Sequence, residues 1–390
     1  VSTFIHRVAL RNYRSIRACD VALGPLTYVV GPNGAGKSNF LDALRLIADS
    51  LRTSLDHALR ERGGIQEVRR RSAGHPTHMA VRVDFRLVGA DGAPTHGHFA
   101  FEVGAKRGGG FVVSHEECRV GEAEYRVSAG TVEKPPHAVA PPAVDDRLYL
   151  VAAAGLPAFR PVFDALSNMG FYSLSPDAMR ALQAPDAGEV LKRDGSNLAS
   201  VLERLPPSVL ERIHSYLECV VPGIEGVEPH RLGHMQTFAF RQRVAGAKDP
   251  WRFPAINMSD GTLRALGILT AVSQSAAVRF VAVEEPEIAL HPAAAAVLRD
   301  CLREASRHTQ VAVTSHSPDL LDDASIGADE LLAVSMDEGA TTLGPLDAAG
   351  RQVLAEKLYT PGELLRIGQL TPGPVDGAAP HQLELFEVLP

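Results

Sequence analysis

Leu26-Thr27-Tyr28-Val29-Val30, Gly31-Pro32-Asn33-Gly34-Ala35-Gly36-Lys37-Ser38, then Asn39-Phe40-Leu41-Asp42-Ala43-Leu44-Arg45-Leu46-Ile47 form one continuous stretch. Its first part is short, apolar and β-branched, the pattern of a buried strand. Its last part carries apolar residues at helical spacing, running to about Leu51. Between them the eight residues read G-x-x-x-x-G-K-S, a phosphate-binding loop in the strand-to-helix context its mechanism needs. Glycines let successive N–H groups point at one anion, and the helix N-terminus adds partial positive charge. Lys37 reaches toward β- and γ-phosphates, and the Ser38 hydroxyl is an oxygen ligand for Mg²⁺.

The chain has 390 residues, 45% hydrophobic and 22% charged, enough for two or three lobes and a large core. No run approaches the roughly 20 apolar residues of a membrane span, and the first residues show no signal-peptide pattern. Cys19, Cys118, Cys219 and Cys301 lie far apart with no C-x-x-C pair. That spacing argues against a disulfide framework or a zinc site and agrees with a reducing, cytoplasmic setting. Net charge is −7, but residues 1–126 hold 18 Lys and Arg against 13 Asp and Glu, while the rest hold 21 against 33. This mildly basic front lobe is therefore the part suited to face a polyanion such as DNA.

Taken in order, residues 3–30 read as a β-rich entry, and Arg60–Arg71 as a polar, basic connector. From Met79 the period becomes two: Val81, Val83, Phe85 and Leu87 alternate with Arg82, Asp84 and Arg86, predicting an antiparallel sheet inserted after the first helix. Residues 130–145, with Pro135, Pro136, Pro141 and Pro142, read as an exposed loop. Residues 147–220 are mostly helical and 224–254 return to short strands. Helix and strand then alternate over Thr262–Ser275, Val278–Val283, Pro292–His308 and Gln310–Thr314, predicting a parallel sheet flanked by helices. These readings divide the chain into 1–130, a β lobe with the loop and first helix; 131–255, a mostly helical insertion with short strands; 256–345, a C-terminal core; and 346–390, a tail.

Three further motifs follow. Phe280-Val281-Ala282-Val283-Glu284-Glu285-Pro286 is an apolar strand ending in two acids. The first, Glu284, suits Mg²⁺, and the second, Glu285, suits orienting or deprotonating a water. Ser259-Asp260-Gly261-Thr262 opens a helix with a natural N-cap. Gln310-Val311-Ala312-Val313-Thr314-Ser315-His316 is another strand, ending in a histidine able to contact a γ-phosphate. Taken singly, these are a solvated acid pair, a helix start and a capped loop histidine.

As a set, with Leu290-His291-Pro292, Ser317-Pro318 and the entry Asn12-Tyr13-Arg14-Ser15-Ile16, these motifs resemble the ATP-binding-cassette heads of the RecF/SMC/OLD group of ATPases. The resemblance covers residues 3 to about 335 and is nearest to the arm-less, RecF-like predicted AAA ATPases, which Asp194-Gly195-Ser196-Asn197-Leu198-Ala199 and Tyr359-Thr360-Pro361-Gly362-Glu363-Leu364-Leu365 also match. It implies an α/β P-loop NTPase of ABC-head type: a parallel core sheet with flanking helices, an N-terminal antiparallel β lobe and a helical insertion. It further implies an ATPase with ATP and Mg²⁺. Gly31, Pro32, Asn33, Gly34, Ala35, Gly36, Lys37, Ser38 and Asn39 bind phosphates, with Arg14 near the nucleotide. Ser38 and Glu284 hold the metal, Glu285 and His316 are catalytic, and Ser259, Asp260 and Gly261 serve the nucleotide of a second copy in an ATP-dependent homodimer.

Met258, Asp260, Thr262 and Glu284 stand where the commoner forms have Leu, Gly, Gln and Asp, and Gln66 is the available glutamine for the group's glutamine-containing loop. With about 55 residues after Ser335, no Toprim nuclease domain is expected, so any nuclease would be a separate chain. Two function classes stay open: a DNA-associated ATPase in repair or anti-phage defence, and an ATP-gated scaffold that binds a protein effector without touching DNA.

Overall fold

The structure, a computed structural model, describes residues 3–72, 76–88, 92–136, 141–274, 278–373 and 385–386. Ser275, part of the Pro-rich loop and most of the tail beyond 373 lie outside these residues. The chain divides into two compact units, one holding the residues up to 169 with 327–358 and those from 367 on, the other 170–326 with 359–366.

The first unit opens with a hairpin, β1 (Ile5–Tyr13) and β2 (Ile16–Ala22), closed by a tight turn in which Arg14 takes a left-handed φ of 48°. Buried β3 (Leu26–Val30) leads through the loop into α1 (Lys37–Arg52), as the local pattern predicts. The expected polar connector is instead partly core. After α2 (Leu55–Arg60), the short α3 (Ile65–Val68) buries Ile65 and Val68, and Arg62 between the two helices is itself buried. The apolar residues were there to be read; the buried guanidinium was not, because its partners lie on α1.

The expected antiparallel insert is present as a meander of β4 (His78–Val88), β5 (Pro94–Ala105), β6 (Phe111–Val120), β7 (Ala123–Ser128) and β8 (Thr131–Lys134). It joins the hairpin where β4 pairs with β1. β8 corrects the reading of the segment after residue 130 as loop: its first residues extend the sheet. On β4, Val81, Val83, Phe85 and Leu87 are buried, and Asp84 is buried too because Arg7 and Arg82 pair with it. Two short helices, α4 (Leu150–Ala153) and α5 (Arg160–Ser167), complete this part, α5 packing on α1.

The second unit starts with β9 (Gly170–Tyr172) and three helices, α6 (Pro176–Arg180), α7 (Leu198–Arg204) and α8 (Pro207–Val220). A separate antiparallel sheet follows, β10 (Ile224–Leu232), β11 (Met235–Gln242) and β12 (Trp251–Pro254). Then come α9 (Asp260–Val272), β13 (Phe280–Glu284), α10 (Pro292–Ala305), β14 (Gln310–Ser315) and the short α11 (Pro318–Leu321). β9, β13 and β14 run parallel, with β13 in the middle, so the carboxyl ends of all three emerge at one edge.

The chain returns to the first unit with the hairpin β15 (Leu331–Asp337) and β16 (Ala340–Pro345) and with α12 (Ala348–Ala355). β15 pairs parallel with β3, and β16 parallel with β2. The T-P-G-E-L-L-R stretch becomes α13 (Pro361–Arg366) and packs on α11 of the second unit. Thr360 Oγ1 donates to Asp322 (2.7 Å), and Arg366 pairs with Asp319 (2.9 Å) and Asp322 (3.1 Å). Gly362 is required by close approach, since a Cβ there would lie 2.4 Å from the Pro318 carbonyl oxygen. Among the described residues no helix is long and apolar enough to cross a membrane.

Candidate functional site

The loop between β3 and α1 has its own floor. A Cβ on Gly31 would fall 2.1 Å from the Val334 carbonyl oxygen of β15, and one on Gly36 would fall 2.2 Å from Thr341 Oγ1 of β16. Thr341 Oγ1 donates to the Ala35 carbonyl (2.8 Å) and shares a hydrogen bond with Ser15 Oγ (2.7 Å). Gly34 and Gly36 take left-handed φ values of 78° and 102°. The tip, Pro32-Asn33-Gly34, and Ser38 are exposed, while Ala35 and Lys37 are buried. Lys37 Nζ folds onto the loop, donating to the carbonyls of Gly31 (2.9 Å) and Pro32 (3.1 Å). No side chain caps α1 at Gly36, and the Asn39 amide donates to the Gly36 carbonyl (3.0 Å); the loop thus delivers a helix start, the kind of place where anions bind.

Arg14 and Asn39 meet at the first turn of α1. Arg14 donates to Asn39 Oδ1 (3.3 Å) and pairs with Asp42 (2.9 Å), while Asn39 Nδ2 donates to Ser15 Oγ (2.7 Å). Asp42 is the hub of a buried network. It accepts from the Tyr13 hydroxyl (2.8 Å) and pairs with Arg62 (3.1 Å) and Arg45 (2.5 Å). Burial works to raise the Asp42 carboxyl, but the charges of Arg62, Arg14 and Arg45 outweigh it and hold the group below the usual carboxylate range.

The acid pair and the histidine lie together in the second unit. The carboxyl ends of β13 and β14 are neighbours, so Glu284 and Glu285 emerge beside Ser315 and His316. Glu285 sits at a left-handed φ of 44°, its amide donating to the Thr314 carbonyl (3.0 Å), and its Oε1 lies 3.2 Å from His316 Nδ1. A non-glycine residue held in this region is a strained position of the kind found at functional sites. Glu284 Oε1 accepts from Arg193 Nη2 at 2.9 Å.

In the same unit Ser259 caps α9, accepting from the Thr262 amide (3.2 Å), and both Ser259 and Asp260 are exposed. Asp260 is ion-paired with Arg180 of α6. The glycine has a packing reason of its own: a Cβ on Gly261 would lie 2.3 Å from the Ala289 carbonyl oxygen.

Sequence reasoning passed over Glu287 and Arg193. Glu287 is largely buried. Its Oε1 accepts from Ser315 Oγ (2.6 Å) and the His316 amide (3.3 Å), which fixes the histidine-bearing turn. The repeated acid in Glu284-Glu285-Pro286-Glu287 was its visible signal. Arg193 precedes the Asp194-Gly195-Ser196-Asn197 stretch, whose local hydrogen bonds make it a fixed loop.

Mg²⁺ takes hard oxygen ligands, and a hydroxyl and a carboxylate are what Ser38 and Glu284 offer. Glu284 also already holds a cation, the Arg193 guanidinium. The hydroxyl and the carboxylate, each taken in its own unit, are of the donor type that Mg²⁺ takes, and a glycine loop at a helix start is of the type that takes phosphate.

Comparison with known proteins gives AAA-domain matches over two parts of the chain. A family model described as "AAA domain, putative AbiEii toxin, Type IV TA system" matches residues 156–322, and one described as "AAA ATPase domain" matches residues 4–82. A stretch of 51 residues is 43% identical to the OLD nuclease of Thermus scotoductus, covering 13% of this chain and 10% of that protein. A stretch of 84 residues is 38% identical to the DNA replication and repair protein RecF of Chloroflexus aggregans, covering 21% of this chain and 20% of that one. The matched stretches thus span a tenth to a fifth of these relatives. In fold, the chain is similar to an SMC head bound to the C-terminal winged-helix domain of ScpA (TM-score 0.57, 14% identity, 89% of this chain and 99% of that one). It is equally similar to an SMC head with an extended coiled coil, bound to the C-terminal domain of ScpA, from Pyrococcus furiosus (TM-score 0.57, 12% identity, 91% and 99%).

Proposed function

We propose that this chain, an ABC-type ATPase head of the RecF/SMC/OLD group, binds ATP on the loop Gly31–Ser38 and hydrolyses it with Glu285 as the residue that activates water. The observation that carries the reading is the Glu285–His316 pair at the adjoining ends of two parallel strands. A carboxylate held by strained backbone and a neighbouring imidazole is suited to take a proton from water as its oxygen attacks the γ-phosphorus. The bond from that phosphorus to the bridging oxygen breaks, ADP leaves, and phosphate is released. His316 orients the carboxylate and contacts the γ-phosphate. Lys37 and the loop amides bind the phosphates, with Asn39 and Arg14 supporting them. Ser38 and Glu284 would hold Mg²⁺, which when bound neutralises phosphate charge.

Ser259, Asp260 and Gly261 serve the ATP of a second copy, so ATP favours a homodimer and hydrolysis releases it. Exposure of Ser259 and Asp260 supports this reading. The basic N-terminal lobe, together with stretches shared with RecF and the OLD nuclease, supports a DNA-associated role in the cytoplasm, in repair or anti-phage defence.

The experiment compares wild type, Lys37→Ala and Glu285→Gln by calorimetry, phosphate release and light scattering with Mg·ATP. Lys37→Ala loses ATP binding. Glu285→Gln binds ATP, hydrolyses it about 10²-fold more slowly, and dimerises with ATP unless Ser259→Arg is added. Wild-type hydrolysis by Glu285→Gln refutes the catalytic assignment.

A further inference from the structure

The stretch Lys192-Arg193-Asp194-Gly195-Ser196-Asn197 is built with more care than a surface turn needs. Asn197 is buried, its Oδ1 accepting from the Lys192 amide (2.7 Å) and its Nδ2 donating to the Val190 carbonyl (3.0 Å). The Asp194 carboxylate accepts from the Ser196 amide (3.0 Å). Gly195, at a φ of 81°, has no room for a side chain: a Cβ would lie 2.6 Å from Met179 Cγ. The loop is then moored to the end of β9, where the Ser173 and Ser175 amides donate to the carbonyls of Arg193 and Asp194, both at 3.0 Å. β9 neighbours β13, which ends at Glu284. The mooring therefore aims one side chain, Arg193, along the strand ends at one carboxylate.

We infer that Arg193 is a resident counter-cation of Glu284 that competes with a divalent metal ion for this carboxylate. The inference rests on the reading of Glu284 as a metal ligand. Mg²⁺ binds carboxylate oxygens at about 2.0–2.1 Å, whereas the guanidinium nitrogen lies 2.9 Å from Oε1. Both cations on one carboxylate would stand a few ångströms apart and repel each other. The metal is bound when Arg193 lets go. Without metal, the guanidinium keeps Glu284 paired and oriented at the strand end. Arg193 is thus a positioning residue that sets the metal concentration at which the site fills.

The test uses Mn²⁺, visible by electron paramagnetic resonance, bound to the full chain with a saturating non-hydrolysable ATP analogue. Wild type, Arg193→Gln, Arg193→Lys, Glu284→Gln and the Arg193→Gln/Glu284→Gln pair are compared, each first checked for its fold by circular dichroism. Arg193→Gln should bind Mn²⁺ about tenfold more tightly, within the usual range of coupling between two interacting ligands. Arg193→Lys, which keeps the charge, should stay near wild type. In the Glu284→Gln background the Arg193→Gln effect should vanish. If Glu284→Gln weakens Mn²⁺ binding while Arg193→Gln leaves it unchanged or weaker, the competition is overturned and Glu284 remains a metal ligand. If Glu284→Gln leaves Mn²⁺ affinity unchanged, the metal reading of Glu284 fails and the competition falls with it.

Discussion

Replacing each loop glycine by alanine should separate three physical demands on one motif. Gly34 has a left-handed φ of 78° with nothing within 4 Å of an added Cβ, so Gly34→Ala costs backbone strain alone, about 1–2 kcal/mol. Gly36 has the same kind of strain at 102° and a contact of 2.2 Å with Thr341 Oγ1. That hydroxyl is held by the Ala35 carbonyl and Ser15, so it yields only by losing both hydrogen bonds. Adding the 1–3 kcal/mol usual for overpacking brings Gly36→Ala to about 2–5 kcal/mol. Gly31→Ala meets the Val334 carbonyl at 2.1 Å, and a backbone oxygen in a paired strand cannot rotate away. Its cost is at least about 3 kcal/mol. Urea denaturation of the nucleotide-free protein, followed by far-ultraviolet circular dichroism, gives the ranking. Adding Thr341→Ala should restore part of the Gly36→Ala loss and none of the Gly31→Ala loss. If Gly36→Ala is no more destabilising than Gly34→Ala, β16 is not the floor of the loop and the packing argument is wrong.

Asp42→Ala should cost about 3–5 kcal/mol by leaving the buried Arg62 guanidinium short of a partner. The Asp42→Leu/Arg62→Met pair should be far less damaging in the same urea assay, and equal losses would show that charge burial is not the cause. Burial pushes the Glu116 carboxyl up to about 7, against hydrogen bonds from the Tyr125 hydroxyl and the Tyr149 and Leu150 amides. The folded chain then keeps a proton that the unfolded chain releases above about pH 4.5, so this contribution to stability is complete below that pH. It is lost as pH rises to about 7, by about 3 kcal/mol. Melting temperatures across that window should fall with pH, and Glu116→Gln should flatten the slope. The depressed Asp42 carboxyl acts in the opposite sense and in another window, its contribution being lost as pH falls below about 4.

The parts legible in the sequence were those whose cause is local. The β3–loop–α1 succession was readable because burial on both faces makes a strand continuously apolar and a buried helix face repeats at 3.6 residues. The alternation on β4 and the ends of β13 and β14 were readable for the same reason. What the sequence did not show was the partners of certain polar residues that lie far off in the chain. Arg62 looked like part of a solvated basic connector, yet its side chain is 1% exposed, because Asp42 and Asp49 on α1 receive it. Arg193 and Glu287 carry no periodicity, and only the positions of Glu284 and Ser315 give them a task.

By itself the sequence determined which chemical groups are present and the local geometry that offers them: a glycine loop at a helix start, two acids at one strand end, a histidine at another. Only the tertiary structure decided why several of these residues admit no substitute. Gly31 and Gly36 are required by Val334 and Thr341, some 300 residues later in the chain, and Gly261 by the Ala289 carbonyl. It also decided that Glu285 meets His316 and that Glu284 is held by Arg193. The physical reason is range. Propensity and periodicity act over a few residues and are written in sequence order, whereas steric exclusion and ion pairing depend on distance in space, which the packed chain alone assigns.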